Sequence, residues 1–305
     1  MKVLVVANYN EGRFSPFVME QMESLTKQGI EIDTYGIVGK GLLGYLRNLA
    51  GLKKKIQSYQ PDLIHAHYGL SGLLANLQRK VPVVTTFHGS DIHSGGITLK
   101  LSQLAMRLSA HNIFVSRKLI ELSGGNASKG TILPCGVDLD KILTVPRAEA
   151  MKSVGKTKPY VLFSNSFTNE VKNPSLAKEA MQIIPDTELV ELKGYSRQEV
   201  NMLMNAASCL LMTSHREGSP QVIKEAMACG TPIVSVDVGD VKDVISGTDG
   251  CFIAERNPQD ITEKIKMALA FKGKTNGRKR IIEMGLSNEL IAQKLLEIYH
   301  NILTQ

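Results

Sequence analysis

Residues 207–239 read ASCLLMTSHREGSPQVIKEAMACGTPIVSVDVG. Two short apolar runs, ASCLLMTS (207–214) and TPIVSVDVG (231–239), flank a stretch with helical spacing that starts near Ser219–Pro220. Serine before a proline at the first helical position is a helix-start signal. A strand, a helix and a strand joined by short connections form the repeating unit of a parallel sheet covered by helices. In such sheets ligands lie outside the carboxyl ends of the strands, so the loop SHREGSP (214–220) is the first place to look for chemistry.

The same alternation extends both ways. Upstream, strands are expected at 2–8 (KVLVVAN), 30–37, 62–67 (DLIHAH), 81–89 (VPVVTTFHG) and 111–116 (HNIFVS), with helices at 16–28, 42–58, 70–79 and 97–109 between them. A polar stretch, TVPRAEAMKSVGKTK (144–158), interrupts the pattern. It restarts with strands at 160–165, 187–194, 207–214, 231–239 and 250–254, helices between them, and helical residues from 276 to 304 with a break near Gly285. The reading is α/β: two Rossmann-like domains, residues 1–150 and 151–285, facing across a cleft. A C-terminal helix at 286–305 is expected to pack back on the first domain.

The chain has 305 residues, room for two domains of ordinary size. No apolar run approaches the roughly 18 residues of a membrane-spanning helix. The N-terminal apolar stretch is short for a signal peptide and reads as a first strand. Cys135, Cys209, Cys229 and Cys251 are scattered, with no CxxC, and read as buried free thiols of a reducing, cytoplasmic compartment. Residues 1–150 hold 17 Lys and Arg against 11 Asp and Glu, so the net charge of +7 sits mostly in the first half. That half suits an anionic partner such as a membrane surface or lipid phosphate, or is simply a basic surface. Aromatics are 5% with no Trp, and no aromatic–basic interleaving argues for nucleic acid.

Glu217 and Glu225 stand eight residues apart, the first in the loop and the second among Val222, Ile223, Ala226 and Met227. A carboxylate with those neighbours needs a hydroxyl or cationic partner. The E-x7-E spacing followed by EAMACGTPIV (225–234) resembles the signature of family-four retaining glycosyltransferases with the GT-B fold. The resemblance implies that Glu225 holds the ribose hydroxyls of a nucleotide-sugar donor and that Glu217 meets the donor sugar. Gly218, Ser219, Pro220 and Gln221 match the loop that approaches sugar and diphosphate. VKNP (171–174) resembles the family's Lys-Asn/Gly-Pro turn and implies Lys172 as the diphosphate contact. The Gly-Arg pair usual nearby is replaced by Ser164, Asn165 and Ser166, of which Asn165 and Ser166 are the candidate replacements. Gly194 and Tyr195 fall in the loop implied to carry the base.

In the first half, FHGSD (87–91) resembles the family's strand-end His motif, with His88 directed to the donor sugar. Asp91 either orients that imidazole or caps the next helix. NYNEGRFSPFV (8–18) retains only Gly12 of the family's glycine-rich turn, with Arg13 and Ser15 as acceptor-side candidates. His65 and His67 share one face of a strand. An H-x-H pair can bind metal but lacks a third ligand, and His67 reads instead as an acceptor-side residue. PCGVD (134–138) resembles the turn closing the first domain. In residues 41–59, Leu42, Leu46, Leu49, Leu52 and Ile56 approximate one helical face, with Arg47, Lys53, Lys54 and Lys55 beyond it. Both a bilayer-surface helix and an ordinary sheet-packed helix fit that pattern.

The resemblance implies a metal-independent transferase with no resident cofactor. It would use a UDP- or GDP-linked sugar and a glycan or polyprenyl-diphosphate-linked acceptor of the cell envelope, at the inner face of the membrane. Among envelope enzymes the teichuronic-acid type is the most similar in pattern. Glu217, His88 and Lys172 would carry the reaction. A UDP-sugar epimerase of the same fold, or a non-catalytic sugar-nucleotide-binding subunit, stays open.

Overall fold

The computed structural model describes residues 1–124 and 130–304. Gln305, the end of the expected C-terminal helix, lies outside the described residues. The chain divides into two compact units, Met1–Gly136 with Asn288–Gln305, and Val137–Ser287.

The first unit is built on strands β1 (Lys2–Asn8), β2 (Glu31–Ile37), β3 (Leu63–His67), β4 (Val83–Phe87), β5 (His111–Phe114) and β6 (Gly130–Ile132). Their order is β2-β1-β3-β4-β5-β6, and every pairing is parallel. Every residue of β3 and β4 is buried. That is why these segments read as continuous apolar runs rather than as alternation. The edge strand β6 is only three residues long and carries no sequence signal. One core cluster joins Leu4, Val6, Ile64 and Ala66 of the sheet to Leu52 and Ile56 of helix Leu49–Tyr59.

The helix expected over 42–58 is in fact two, Gly41–Leu46 and Leu49–Tyr59. Asn48 makes the break. Its Nδ2 donates to Val38 O and Gly44 O, and its own carbonyl accepts from Tyr35 Oη. Side chains of this kind compete with helical hydrogen bonds for backbone groups. The break splits the expected apolar face. Leu52 and Ile56 are buried, whereas Leu42, Leu43 and Leu46 are exposed, Leu43 to 75%.

Helix Asn288–Leu303 belongs to the first unit, where it packs against helix Pro16–Lys27 and buries Ile291, Ala292, Leu295 and Tyr299. Before it, Gly285 adopts φ +66°, a left-handed turn that ends the preceding helical stretch.

The second unit contains β7 (Tyr160–Phe163), β8 (Glu188–Glu191), β9 (Cys209–Met212), β10 (Ile233–Val236) and β11 (Cys251–Ala254). Their order is β11-β10-β9-β7-β8, again all parallel. The polar joining stretch contains a helix, Arg147–Ser153, packed on helix Arg197–Ala206. The backbone amides of Leu143 and Val145 donate to the side chains of Asn201 and Asn205, and Arg147 donates to Ala206 O and Ser208 Oγ. These bonds tie residues from Leu143 onward into the second unit, which begins at Val137. None of the four cysteines is in a disulfide among the described residues. Among the described residues no helix is long and apolar enough to cross a membrane.

Strand order reverses between β1 and β3 in one unit and between β7 and β9 in the other. Crevices at such reversals, at the carboxyl ends of the strands, are where open parallel sheets take ligands.

Candidate functional site

The loops after β7 and β9 flank the reversal point of the second sheet. After β9, residues 213–220 lead into helix Gln221–Cys229, which closes at Gly230 with φ +68°. The sequence suggests Ser219 as the cap and Pro220 as the first helical residue. The helix starts one residue later, with Pro220 at the cap position and no side-chain cap bond. The Ser219 hydroxyl is drawn away by Asp240 Oδ2. Burial raises the Asp240 carboxyl above its ordinary value, and Lys224, fully buried on the same helix as Gln221, opposes that shift. Lys224 Nζ also donates to Gln221 Oε1 at 3.1 Å. Neither Lys224 nor Asp240 stands out in the sequence. Gly239, at φ +57°, lies beneath this loop, and a Cβ there would fall 2.5 Å from Gly218 O.

One ion pair links these loops and another links the helices that follow β8 and β9. Lys172 Nζ donates to Glu217 Oε1 at 2.6 Å, and Arg197 Nη1 donates to Glu225 Oε1 at 2.6 Å. The first pair joins the β7 loop to the β9 loop. Lys172 ends a short 3-10 turn, Glu170–Lys172, and Asn173 follows at φ +52° before Pro174 starts the next helix. Thr213 Oγ1 donates to the carbonyls of Lys172 and Asn173 and pins the turn to the end of β9. Arg197 is not among the residues expected at the site. Its place is legible, because Ser196 and Glu199 form a capping box that makes Arg197 the first helical residue. That it reaches Glu225 is not. With the Glu225 side chain only 8% exposed, the arginine supplies the cationic partner that a buried carboxylate requires.

Asn165 and Ser166 lie in the β7 loop as a hydrogen-bonded polar turn. Asn165 Oδ1 accepts from Asn169 Nδ2 at 3.2 Å, and Ser166 Oγ shares a 2.8 Å bond with Thr168 Oγ1. Gly194 takes φ +80° after β8, and Tyr195 beside it is exposed.

In the first unit, Gly12 takes φ +70° in the loop after β1. Arg13 is exposed, 3.9 Å from Glu11, and Ser15 sits at the cap of helix Pro16–Lys27 without a side-chain cap bond. His67 ends β3 and His88 follows β4, and His67 Nδ1 and His88 Nε2 share a hydrogen bond of 3.0 Å. The His88 ring lies 4.7 Å from both Phe17 and Tyr68. The Asp91 carboxylate serves backbone amides. Its Oδ1 accepts from Gly89 N and its Oδ2 from Gly69 N, which joins the turns after β4 and β3. Burial lifts this carboxyl to about 6, against the pull of those amides. His65 is buried, with Nδ1 on Tyr299 Oη at 2.6 Å and Nε2 on Thr86 Oγ1 at 2.7 Å. Both its nitrogens are occupied by hydroxyls. Among the described residues no group of three or more His, Cys, Asp or Glu is placed to hold a metal ion.

The two all-parallel α/β units match the fold of GT-B glycosyltransferases. Residues 12–141 match the family model described as Glycosyltransferase Family 4, and residues 159–270 the model described as Glycosyl transferases group 1. The chain thus carries a family-four domain followed by a group 1 glycosyltransferase domain. It is 26% identical to a glycosyltransferase assigned to teichuronic acid biosynthesis in Bacillus subtilis (strain 168), over 69% of the chain. It spans 62% of that relative's length, so it matches only part of it. In fold it is similar to the sucrose-phosphate synthase of Thermosynechococcus elongatus, with TM-score 0.87, 16% identity and coverage of 100% of this chain and 99% of the other. Anabaena HepE in complex with UDP-glucose gives TM-score 0.79 at 16% identity, covering 99% and 100% of the two chains.

Proposed function

We propose that the protein is a retaining glycosyltransferase that moves a hexosyl unit from a UDP- or GDP-linked sugar to a hydroxyl acceptor without a metal. The observation that carries this reading is the pairing of Glu217 with Lys172, on the loops at the reversal point of the second sheet, and of Glu225 with Arg197, on the helices that follow β9 and β8. Each cation holds a carboxylate in place and partly neutralises it. Donor binding then exchanges partners: the ribose hydroxyls go to Glu225, the sugar hydroxyls to Glu217, and the diphosphate to Lys172 and the loop Gly218–Gln221. Gly194 and Tyr195 flank the base, Asn165 and Ser166 supply hydrogen bonds where an arginine is usual in the family, and Gly12 lets backbone approach the donor.

The bond to the leaving diphosphate breaks with negative charge developing on its oxygen. Lys172 stabilises that charge without a metal, and the leaving oxygen itself receives the acceptor's proton on the face where the new bond forms. No protein nucleophile is needed, so Glu217 and His88 position and polarise the sugar. The solved complexes of Anabaena HepE with UDP and UDP-glucose support a nucleotide-sugar donor.

The acceptor side is assigned to Arg13 and Ser15, with His67 buried behind His88 rather than open to an acceptor, and the acceptor to a polyprenyl-diphosphate-linked or growing envelope glycan at the inner membrane face. Support comes from the exposed Leu42, Leu43 and Leu46. Asn10 ties their segment to the loop after β1: its Oδ1 accepts from Gly39 N at 2.7 Å and its Nδ2 donates to Gly39 O at 3.1 Å.

Calorimetric titration of UDP, GDP, ADP and their sugar conjugates tests the donor site. Binding of one nucleotide class, lost in Glu225→Ala, supports it. Binding of none by the folded protein overturns it in favour of a non-catalytic subunit, and isomerisation of UDP-GlcNAc without acceptor would reassign it as an epimerase.

A further inference from the structure

His67 is fully buried at the end of β3, and its two ring nitrogens have different surroundings. Nδ1 shares the 3.0 Å bond with His88 Nε2, whereas Nε2 is buried with no hydrogen-bond partner among the described residues. The ring cannot turn freely to find one. His65 stacks on it at 4.5 Å between centroids, and His65 is itself held at both nitrogens by Tyr299 and Thr86.

The shared bond admits two proton arrangements. In one, His88 Nε2–H donates to His67 Nδ1, and the proton of neutral His67 then sits on Nε2 as a buried donor with nothing to receive it. In the other, His67 Nδ1–H donates to His88 Nε2, and the orphan atom on His67 is a lone pair. Buried N–H groups without acceptors are rarer than under-used acceptors, and an unmet donor carries its full desolvation cost. Burial keeps His67 neutral near neutral pH by lowering its pKa to about 3, so a doubly protonated ring does not blur the choice.

We infer that His67 is a positioning residue: its Nδ1–H donates to His88 Nε2 and fixes His88 as the Nδ1–H tautomer, a donor to a substrate oxygen rather than a base. This rests on the proposed place of His88 at the donor. His88 Nδ1 has Cys135 Sγ at 3.9 Å, a weak sulfur contact that a hydroxyl or phosphate oxygen can displace. The tautomer of a histidine is set by the bond its other nitrogen makes, and here that bond is to a second histidine locked by a third.

Long-range proton–nitrogen correlation spectra of the nitrogen-15-labelled protein read the tautomer directly, with His88 assigned by its loss in His88→Gln. The expected spectrum has His88 protonated on Nδ1 and bare on Nε2. His67→Leu should let His88 revert toward the Nε2–H form, and His67→Asn, whose side-chain amide can stand where Nδ1 was, should preserve the native form. In turnover, His67→Leu should lower kcat/KM for donor about ten-fold, the scale of one hydrogen bond, with His67→Asn restoring most of it. Nε2–H on His88 in the folded wild type overturns the inference, and so does an unchanged His88 tautomer in His67→Leu. The wild-type spectrum decides even if a variant fails to fold. A His88→Ala enzyme with unaltered donor kinetics would overturn the donor role of His88 while leaving the tautomer result standing, so the two failures are separable.

Discussion

Arg197 Nη1 lies 2.6 Å from Glu225 Oε1, which places the first residue of one helix against the interior of another 28 residues later. Arg197→Ala leaves the Glu225 carboxylate without this cation. Because Arg197 is itself 34% exposed, the cost to stability should be modest, about 1–2 kcal/mol, rather than that of a fully buried pair. Urea unfolding of Arg197→Ala checks it. Glu225→Ala should weaken nucleotide binding while leaving circular dichroism intact. Equal loss of fold in both variants would refute the division between holding and binding.

The Lys172–Glu217 pair predicts a different split. Glu217→Gln should lower kcat by about 10²–10³ while the affinity for the free nucleotide changes little, since electrostatic groups near a reacting centre act on that scale. Lys172→Ala should weaken diphosphate binding as well as turnover. Calorimetry with UDP or GDP beside steady-state kinetics separates the two.

Gly239 tests the loop itself. With φ +57° and only 2.5 Å between an added Cβ and Gly218 O, Gly239→Ala must displace the backbone that carries Glu217 and Gly218. The expected result is a thermal midpoint several degrees lower, from about 1–3 kcal/mol of lost stability, and a larger donor KM. An alanine variant with native melting and kinetics would show that the loop yields freely.

His67 sets an acid limit. Its folded pKa of about 3 lies below the ordinary 6.5, so the unfolded chain takes up the proton first as pH falls. Its contribution to stability is present above about 6.5 and is lost progressively down to about 3. Buried His65 acts in the same direction, also lowered by its burial. Asp91 acts oppositely: its carboxyl, raised to about 6, favours the fold as pH falls from about 6 toward its unfolded value. The difference between wild type and His67→Asn isolates one histidine. The variant should lose less stability between about pH 6.5 and about pH 4.5, measured by urea midpoints.

Leu43, 75% exposed, lies in a stretch from 34 to 61 that has five lysines and arginines and no acidic residue. Leu43→Asp with Leu46→Ser should reduce sedimentation with vesicles of anionic lipid several-fold, as expected where apolar contact and charge act together. Neutral vesicles should retain little of either protein. Equal sedimentation of both proteins with anionic vesicles would count against membrane docking by this segment.

The strand pattern, the parallel class and the loop 214–220 were legible in the sequence, because both faces of these strands are buried and continuous apolar runs follow from that. So was the E-x7-E spacing of Glu217 and Glu225, since it is fixed by local chain geometry. The partners of those carboxylates were not. Lys172 and Arg197 are 45 and 28 residues away from them, and only the strand order of the second sheet brings the segments that carry them together. The split of residues 41–59 was hidden for a similar reason. Asn48 breaks the helix through bonds to Val38, Gly44 and Tyr35, and periodicity records spacing but not such contacts. Apart from β6 and the break at Asn48, local sequence determined which segments became strands and helices, because burial and backbone preference act over a few residues. The tertiary structure alone decided which charges met, because a hydrogen bond depends on distances that strand order sets.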